Sequence, residues 1–505
     1  MTAHAAQLAG HIKAFRSVRV LCVGDIMMDR YVYGHAGRIS PEAPVPILTH
    51  RDERVTLGAV GNVARNVVAL GGHATIVAIV GDDDGGRELA VMIAREERLE
   101  ARLVTVPGRR TTVKTRYIAR GQQLLRADHE DTRPLDRDTE RRLIEAFRPA
   151  LPAADVVLLS DYAKGCLSDG VLAAIIAAAR SAGKPVIVDP KSLRLARYDG
   201  ATLLKPNARE LESVTGLECV DDRTAARAAQ RALQTADIEA LLVTRSEQGM
   251  TLVERGENPL HFRDKSREVF DVSGAGDTAL AVVGLAVGAG ASLPAAAELA
   301  NRACNIVVAK VGTAVVYESE LTRALQNAEV ERARAKIDPL PVVVDKAARW
   351  RAQGATIGFT NGCFDLIHAG HVALLAQAKK SCDYLIVGLN SDDSVRRLKG
   401  EDRPVNNETA RAIVLASLSD VDAVVMFTED TAVRLIETIR PDLLVKGADY
   451  SESEVVGAEY VRSYGGRVLL AALAPETSTT GTIDRINRAA RRSRSRRPAD
   501  RPTAG

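Results

Sequence analysis

Asp271-Val272-Ser273-Gly274-Ala275-Gly276-Asp277-Thr278 is a glycine-rich turn that opens into a run of small residues, 279–290, patterned as a helix. Gly274 and Gly276 flank Ala275, so the backbone can turn tightly and aim several N–H groups at one point, where the helix adds its positive dipole end. Such a point is an anion site. Asp277 puts a carboxylate where negative charge is welcomed, which suits a group that takes a proton from a hydroxyl attacking the bound anion. Phosphoryl transfer to an alcohol is the economical reading. Taken alone, the same residues also describe a helix N-terminus with an aspartate cap.

Upstream, the apolar run 18–23 reads as a buried strand that delivers Asp25 and Asp29 at its C-terminal end, the end that faces ligand in α/β sheets. Asp29 is a candidate for sugar hydroxyls, or a solvated turn aspartate. Residues 38–46, Arg-Ile-Ser-Pro-Glu-Ala-Pro-Val-Pro, are too proline-rich for a helix and predict an extended edge or lid strand. Gly58-Ala59-Val60-Gly61-Asn62 precedes a helix over 63–70 that stops at Gly71-Gly72, and its small residues suit close approach to a ligand. Asp82-Asp83-Asp84 reads as a polar turn and helix cap in preference to a metal site. From Asp155 the β/α alternation is plain, with strands at 156–160, 186–188, 202–204 and 241–244, and it implies a parallel sheet covered by helices. Asn207 and Glu210 lie one helical turn apart and can orient a hydrated Mg²⁺ on ATP phosphates, or simply cap a helix.

These residues resemble the ribokinase-like (PfkB) carbohydrate kinases over roughly 18–316. The resemblance implies that Asp277 is the catalytic base, that Gly274, Ala275 and Gly276 form the anion hole, and that Asn207 and Glu210 organise Mg²⁺. It further implies that Asp29, Gly58 and Asn62 serve the sugar, that Ser246, Gly249 and Asn301 lie by the nucleotide, and that a monovalent cation sits near Asp271. Lys191, Arg30 and Arg116 are weaker candidates for a substrate phosphate. One departure is visible: a double glycine is usual where this chain has Gly58-Ala59, at the hinge of the lid.

Past Thr313 the β/α rhythm stops. Residues 318–336 are charged and helix-prone, Asp338-Pro339-Leu340-Pro341 interrupts them, and a new strand at 356–359 runs into Thr360-Asn361-Gly362-Cys363-Phe364-Asp365-Leu366-Ile367-His368-Ala369-Gly370-His371. His368 and His371 are three apart at a helix start, so both imidazoles project from one face beside the positive dipole end. Zinc is disfavoured, because the HExxH spacing and a third ligand are missing; phosphate contact is the better reading, against a plain pair of surface histidines. The stretch is similar to the HxGH signature of the cytidylyltransferase-like nucleotidyltransferase superfamily. There the histidines stabilise charge while a phosphate oxygen attacks the α-phosphorus and pyrophosphate leaves. Lys399 and Arg403 are candidates for triphosphate neutralisation or are solvated cations. Thr477-Ser478-Thr479-Thr480-Gly481 resembles the superfamily's second phosphate motif, with Ser478, Thr479 and Thr480 as its hydroxyls.

The expected class is therefore α/β: a ribokinase-like kinase domain at 1–317, a linker at 318–344, a Rossmann-like HxGH nucleotidyltransferase domain at 345–488, and a basic disordered tail at 489–505. In 505 residues, Lys plus Arg (68) nearly balances Asp plus Glu (65), and the net charge of +3 gives no reason to expect a nucleic-acid or membrane partner. Six scattered cysteines without a CxxC pair suggest neither disulfides nor a zinc ribbon, so a reducing cytoplasm is expected. A homodimer is the expected assembly.

Read end to end, the chain resembles the bacterial family of bifunctional heptose 7-phosphate kinase/heptose 1-phosphate adenylyltransferases. Ser160-Asp161-Tyr162-Ala163-Lys164-Gly165, Val243 to Met250 and Leu443-Leu444-Val445-Lys446-Gly447 carry that resemblance together with the motifs above. It implies ATP-dependent phosphorylation of D-glycero-D-manno-heptose 7-phosphate at O1, then adenylyl transfer to heptose 1-phosphate. The product, ADP-heptose, is a lipopolysaccharide core precursor. Another sugar phosphate, CTP in the second domain, or one non-catalytic domain are the alternatives.

Overall fold

The computed structural model describes residues 3–263, 271–310, 312–448, 451 and 454–471, with the backbone alone at 328 and 329. Ser478, Thr479, Thr480, Asp449 and the basic tail lie outside the described residues. The chain divides into two compact units with the boundary between Leu325 and Gln326.

In the first unit the strands are β1 Arg19–Gly24, β2 Ile26–Ile39, β3 Pro46–Ala59, β4 His73–Gly81, β5 Leu99–Val106, β6 Thr112–Ala119 and β7 Gln122–His129. They continue as β8 Val156–Ser160, β9 Val186–Asp189, β10 Leu203–Leu204, β11 Ala240–Thr244, β12 Met250–Glu254 and β13 Leu260–Phe262. Nine of them form one sheet in the order β13-β12-β11-β10-β9-β8-β1-β4-β5, parallel except for the β11-β12-β13 edge. Central strands are apolar except at their ends (Arg19, Ser160, Asp189) because both faces are covered. Val20 and Cys22 enter the core on one face of the sheet, Leu21 and Val23 the core on the other.

The other four strands form a separate sheet, β3-β2-β6-β7. The proline-rich stretch expected as an extended lid strand is instead the tip of its hairpin: β2 ends at Ile39, β3 begins at Pro46, and Ser40 N donates to Val45 O at 2.9 Å. Its prolines lack the N–H groups a strand ladder needs, which suits them to a turn. The helix expected over 63–70 starts earlier and spans Val60–Ala69, and the helix after the glycine turn spans Ala275–Gly288, so Asp277 lies inside its first turn.

Residues 318–344, expected as a linker, contain the helix Glu318–Arg334 and the start of the helix Leu340–Ala352. Leu321 and Leu325 are buried in the core of the first unit, and Ala333 and Val343 in cores of the second, which is why this stretch is folded. That unit has five parallel strands, β14 Ile357–Gly362, β15 Tyr384–Asn390, β16 Ala423–Phe427, β17 Leu443–Gly447 and β18 Arg467–Ala471. Their order, β16-β15-β14-β17-β18, reverses direction between β14 and β17, which opens a crevice at the strand C-termini.

Candidate active sites

Gly274 caps the helix Ala275–Gly288 at φ 81°, a left-handed conformation that favours glycine. The amides of the first helical turn have no partner inside the helix. Beside Gly276 lies a buried ion pair, Lys205 Nζ to Asp189 Oδ1 at 3.0 Å. The Ala275 amide makes a long bond to Val272 O at 3.3 Å; the amides of Gly276 and Asp277, the dipole and the ammonium are thus assembled on one side of the turn, and this donor set fits phosphate oxygens.

Asp277 is 4 % exposed. Its Oδ2 accepts from Asn62 Nδ2 and its Oδ1 from the Tyr162 hydroxyl, each at 2.8 Å. Burial pushes its pKa up to about 7; the Asp189 charge adds to the rise, while Asn62, Tyr162 and Lys205 oppose it. A carboxylate that titrates near neutrality is suited to accept a proton and to release it again.

The two carboxylates expected at the end of the first strand part company. Asp25 accepts from the amides of Tyr162, Lys164 and Cys166 at 2.9 to 3.0 Å and so shapes the loop that carries Tyr162. Asp29 belongs to the lid sheet, where Arg116 donates to it at 2.6 Å. Gly58 is small for a reason: a Cβ there would stand 2.4 Å from Asp29 Oδ2. Ala59, at the position where a double glycine is usual, takes φ 53° and ψ −125°.

Asn207 and Glu210 form a reciprocal capping box, and Lys191 Nζ reaches Glu210 Oε1 at 2.9 Å. Ser246 (φ 52°) begins a short turn that ends at Gly249, where a Cβ would fall 1.9 Å from the Phe262 carbonyl and 3.2 Å from Asn301 Oδ1. Asn301 is therefore brought to that turn. Asp271 accepts from the amides of Ser273 and Gly312; burial raises its pKa, but these bonds outweigh it and leave the carboxyl below its ordinary value. Asp83 caps its helix by accepting from Gly86 N, and among the described residues no group of three or more His, Cys, Asp or Glu is placed to hold a metal ion.

In the second unit a cavity of about 550 Å³ opens at the crevice between β14 and β17, lined by Asn361, His368, His371, Lys399, Arg403 and Lys446 among others. The two imidazoles stack with centroids 3.9 Å apart, and both Nδ1 atoms are buried without a hydrogen-bond partner. Burial lowers the pKa of His368; burial and then the His368 charge bring His371 down to about 4, with the Leu366 carbonyl opposing. His371 is therefore neutral at pH 7, and burial favours the neutral form of His368. Asp365, fully enclosed, receives Arg403 Nε at 2.6 Å and the amides of Val405 and Asn406, so the guanidinium is held at the cavity wall. Lys399, at the end of the helix Asp392–Lys399, lines the same wall and is exposed.

Residues 18–320 match the pfkB family carbohydrate kinases, and residues 359–479 match the cytidylyltransferase-like family. The chain belongs to the pfkB family. Along nearly its whole length it is similar to "Bifunctional protein HldE" of Caulobacter sp. (strain K31), with 55% identity over 476 residues that cover 94% of this chain and 97% of that protein. "Bifunctional protein HldE" of Rhodospirillum rubrum is 50% identical over 489 residues, covering 96% and 98%. Among solved structures, phosphofructokinase-2 from Escherichia coli in complex with potassium has the same fold as the pfkB unit: TM-score 0.53, 23% identity, 61% of this chain and 99% of that one. A pfkB kinase followed by a nucleotidyltransferase makes the chain a bifunctional enzyme.

Within the pfkB unit, sequence reasoning left Tyr162, Asp189 and Lys205 without a role at Asp277. Tyr162 stands in the quoted 160–165 stretch, and Asp189 and Lys205 directly follow the strands expected at 186–188 and 202–204, but no spacing in the chain links residues 162, 189, 205 and 277. Arg411, in the nucleotidyltransferase unit, was missed because a lone arginine in an apolar helix carries no motif; its guanidinium donates to Asn406 O, Cys363 O and Asp392 Oδ1. Among the described residues no helix is long and apolar enough to cross a membrane.

Proposed function

We propose that the pfkB unit transfers the γ-phosphoryl group of ATP to the anomeric oxygen of D-glycero-D-manno-heptose 7-phosphate. After another enzyme removes the 7-phosphate, the second unit joins AMP from ATP to heptose 1-phosphate, giving ADP-heptose and pyrophosphate. The observation that carries this reading is the similarity to bifunctional HldE proteins over 94% of the chain, with both enzymatic units in one order.

In the kinase step, Asp277 accepts the proton of the attacking hydroxyl, and its pKa of about 7 lets it do so at neutral pH. The turn amides of Gly274, Ala275 and Gly276, with Lys205 beside them, offset the charge of the transferred group. Asp29, Gly58 and Asn62 receive the sugar; Ser246, Gly249 and Asn301 receive the nucleotide. Asn207 and Glu210 would hold a hydrated Mg²⁺; in the free protein Glu210 is engaged by Asn207 N and by Lys191. When bound, Mg²⁺ neutralises phosphate charge. Asp271, whose carboxyl is held below its ordinary pKa, would offer an anionic oxygen to a monovalent cation.

In the adenylyl step, the neutral His368 and His371 donate N–H to the phosphates and Lys399 and Arg403 offset their charge; Ser478, Thr479 and Thr480 are assigned hydroxyl contacts to phosphate from the sequence motif alone. Position and electrostatics carry the displacement without a covalent enzyme intermediate. The enzyme acts in the cytoplasm as a homodimer, a reading supported by the exposed apolar Ile39 and Val45 at the lid hairpin (63% and 52% exposed). Sedimentation tests the assembly.

Wild type, Asp277→Asn and His371→Ala are incubated with ATP, Mg²⁺ and either heptose phosphate, following ADP and pyrophosphate. Asp277→Asn is expected to lose only ADP formation and His371→Ala only pyrophosphate release, with CTP giving no pyrophosphate in place of ATP. A wild type that makes neither product from heptose phosphates overturns the substrate assignment.

A further inference from the structure

We propose that Tyr198 is a positioning residue for the kinase step: through the carboxylate of Asp161 it fixes the 161–166 loop, which sets the Tyr162 hydroxyl on Asp277. The proposal rests on Asp277 being the base, as proposed above. β8 ends at Ser160, and the loop that follows has no strand partner, so its amides must be satisfied elsewhere. Two buried carboxylates do this. Asp25 accepts from the amides of Tyr162, Lys164 and Cys166, and Asp161 Oδ1 accepts from that of Ala163 at 2.8 Å. Ala163 stands at φ 55°, a conformation that an alanine keeps only where its surroundings hold it. The backbone on both sides of Tyr162 is thus fixed, and its hydroxyl reaches Asp277 Oδ1 at 2.8 Å.

Asp161 needs a partner of its own, because a buried carboxylate is costly unless donors complete it. Its Oδ2 accepts from the Tyr198 hydroxyl at 2.6 Å, with Arg197 Nη1 farther off at 3.5 Å. Arg197 is engaged elsewhere: its Nε meets Asp169 and its Nη2 donates to Leu167 O at 2.7 Å. The phenol is therefore the direct donor to Oδ2. Tyr198 is fully enclosed in the core that also holds Leu159 and Val188, so its hydroxyl has one fixed place. Burial, and then the Asp161 charge, push its pKa up, and the phenol stays protonated and able to donate. Its oxygen also accepts from Ser192 N at 3.3 Å, which ties the loop after β9 to the loop after β8. Asp277 further faces Asn62, Asp189 and Lys205. Loss of the Tyr198 hydroxyl leaves those three side chains in place, so its effect on the base runs through Tyr162.

Tyr198→Phe keeps the ring and removes only the hydroxyl. Wild type, Tyr198→Phe, Tyr162→Phe and the double variant are compared in the full-length chain by the pH dependence of kcat/KM for ADP formation and by hydrogen–deuterium exchange of residues 161–166. Tyr198→Phe is expected to move the acid limb up by about 0.5 to 1 pH unit, the worth of one hydrogen bond. It is expected to speed exchange in the loop, to leave pyrophosphate release within about two-fold of wild type, and to add nothing in the Tyr162→Phe background. An unmoved limb, or a second full shift in the double variant, overturns the positioning role. Asp161→Asn, which lessens the buried charge, is the second variant: faster exchange at 161–166 is expected, and unchanged exchange overturns the role. If Asp277→Asn keeps ADP formation while both variants speed exchange, the base reading fails and the loop clamp stands.

Discussion

The hydroxyl of Tyr162 donates to Oδ1 of Asp277 at 2.8 Å, from a loop that has no neighbour in sequence near the glycine turn. A donor on a carboxylate favours its ionised form, so Tyr162 restrains the rise in pKa that burial imposes. Tyr162→Phe removes that restraint. The acid limb of kcat/KM for ADP formation, set by ionisation of Asp277 near pH 7, is expected to move up by about one pH unit. An unmoved limb means that Tyr162 does not tune the base.

Asp277 also ties stability to pH. Its folded pKa, about 7, lies above the ordinary 3.8, so the folded state favours the protonated form. The stability this group contributes is fully present below about pH 4 and is lost as pH rises through 7. Asp277→Asn, which imitates the protonated form, is expected to melt higher than wild type at pH 8 and about equally at pH 4. Asn62 Oδ1, buried and unpaired, can accept from the new amide after an amide flip. Equal melting at pH 8 contradicts the raised pKa.

Ala59 holds φ 53° and ψ −125° at the junction of β3 and the helix Val60–Ala69, a conformation in which a Cβ is strained. The strain costs roughly 1 to 3 kcal/mol, and glycine returns roughly 0.5 to 1 kcal/mol of that in chain entropy. Ala59→Gly is expected to raise the melting temperature of the kinase transition. A lower one would show that the alanine is relaxed in place.

His371 is neutral in the free enzyme because burial and its neighbour His368 depress it to about 4. A histidine with a depressed folded pKa contributes stability above pH 6.5 that is lost as pH falls through about 4. The free protein should show a His371 NMR titration midpoint near 4, and ATP should raise it by supplying anionic partners. A midpoint near 6.5 without ATP would remove the neutral-donor reading.

Arg411 is fully enclosed and ties the loop after β14 to Asp392 and Asn406. Arg411→Met leaves buried acceptors and one carboxylate without a partner, at a cost of about 3 to 5 kcal/mol. Loss of pyrophosphate release and of the second unit's thermal transition is expected, with ADP formation within two-fold of wild type. Pyrophosphate release at the wild-type rate would show that the clamp is dispensable.

Local physics is legible in a sequence because it acts between near neighbours. The glycine turn at 274–276, the histidines three apart at 368 and 371, the Asn207–Glu210 cap and the apolar central strands are all short-range patterns, and they were enough to identify two α/β units, one built around an anion turn and one around an HxGH loop. β6 and β7 were not legible: neither is buried on a clean alternating face, and β7 is exposed along its whole length. The placement of Tyr162 and Asn62 on Asp277 and of Lys205 beside Gly276 follows from sheet order and packing across separations of up to 215 residues. Chain spacing holds no information about such contacts. Only the tertiary structure decides them, because burial and hydrogen bonding act on whichever groups the packed sheets bring together.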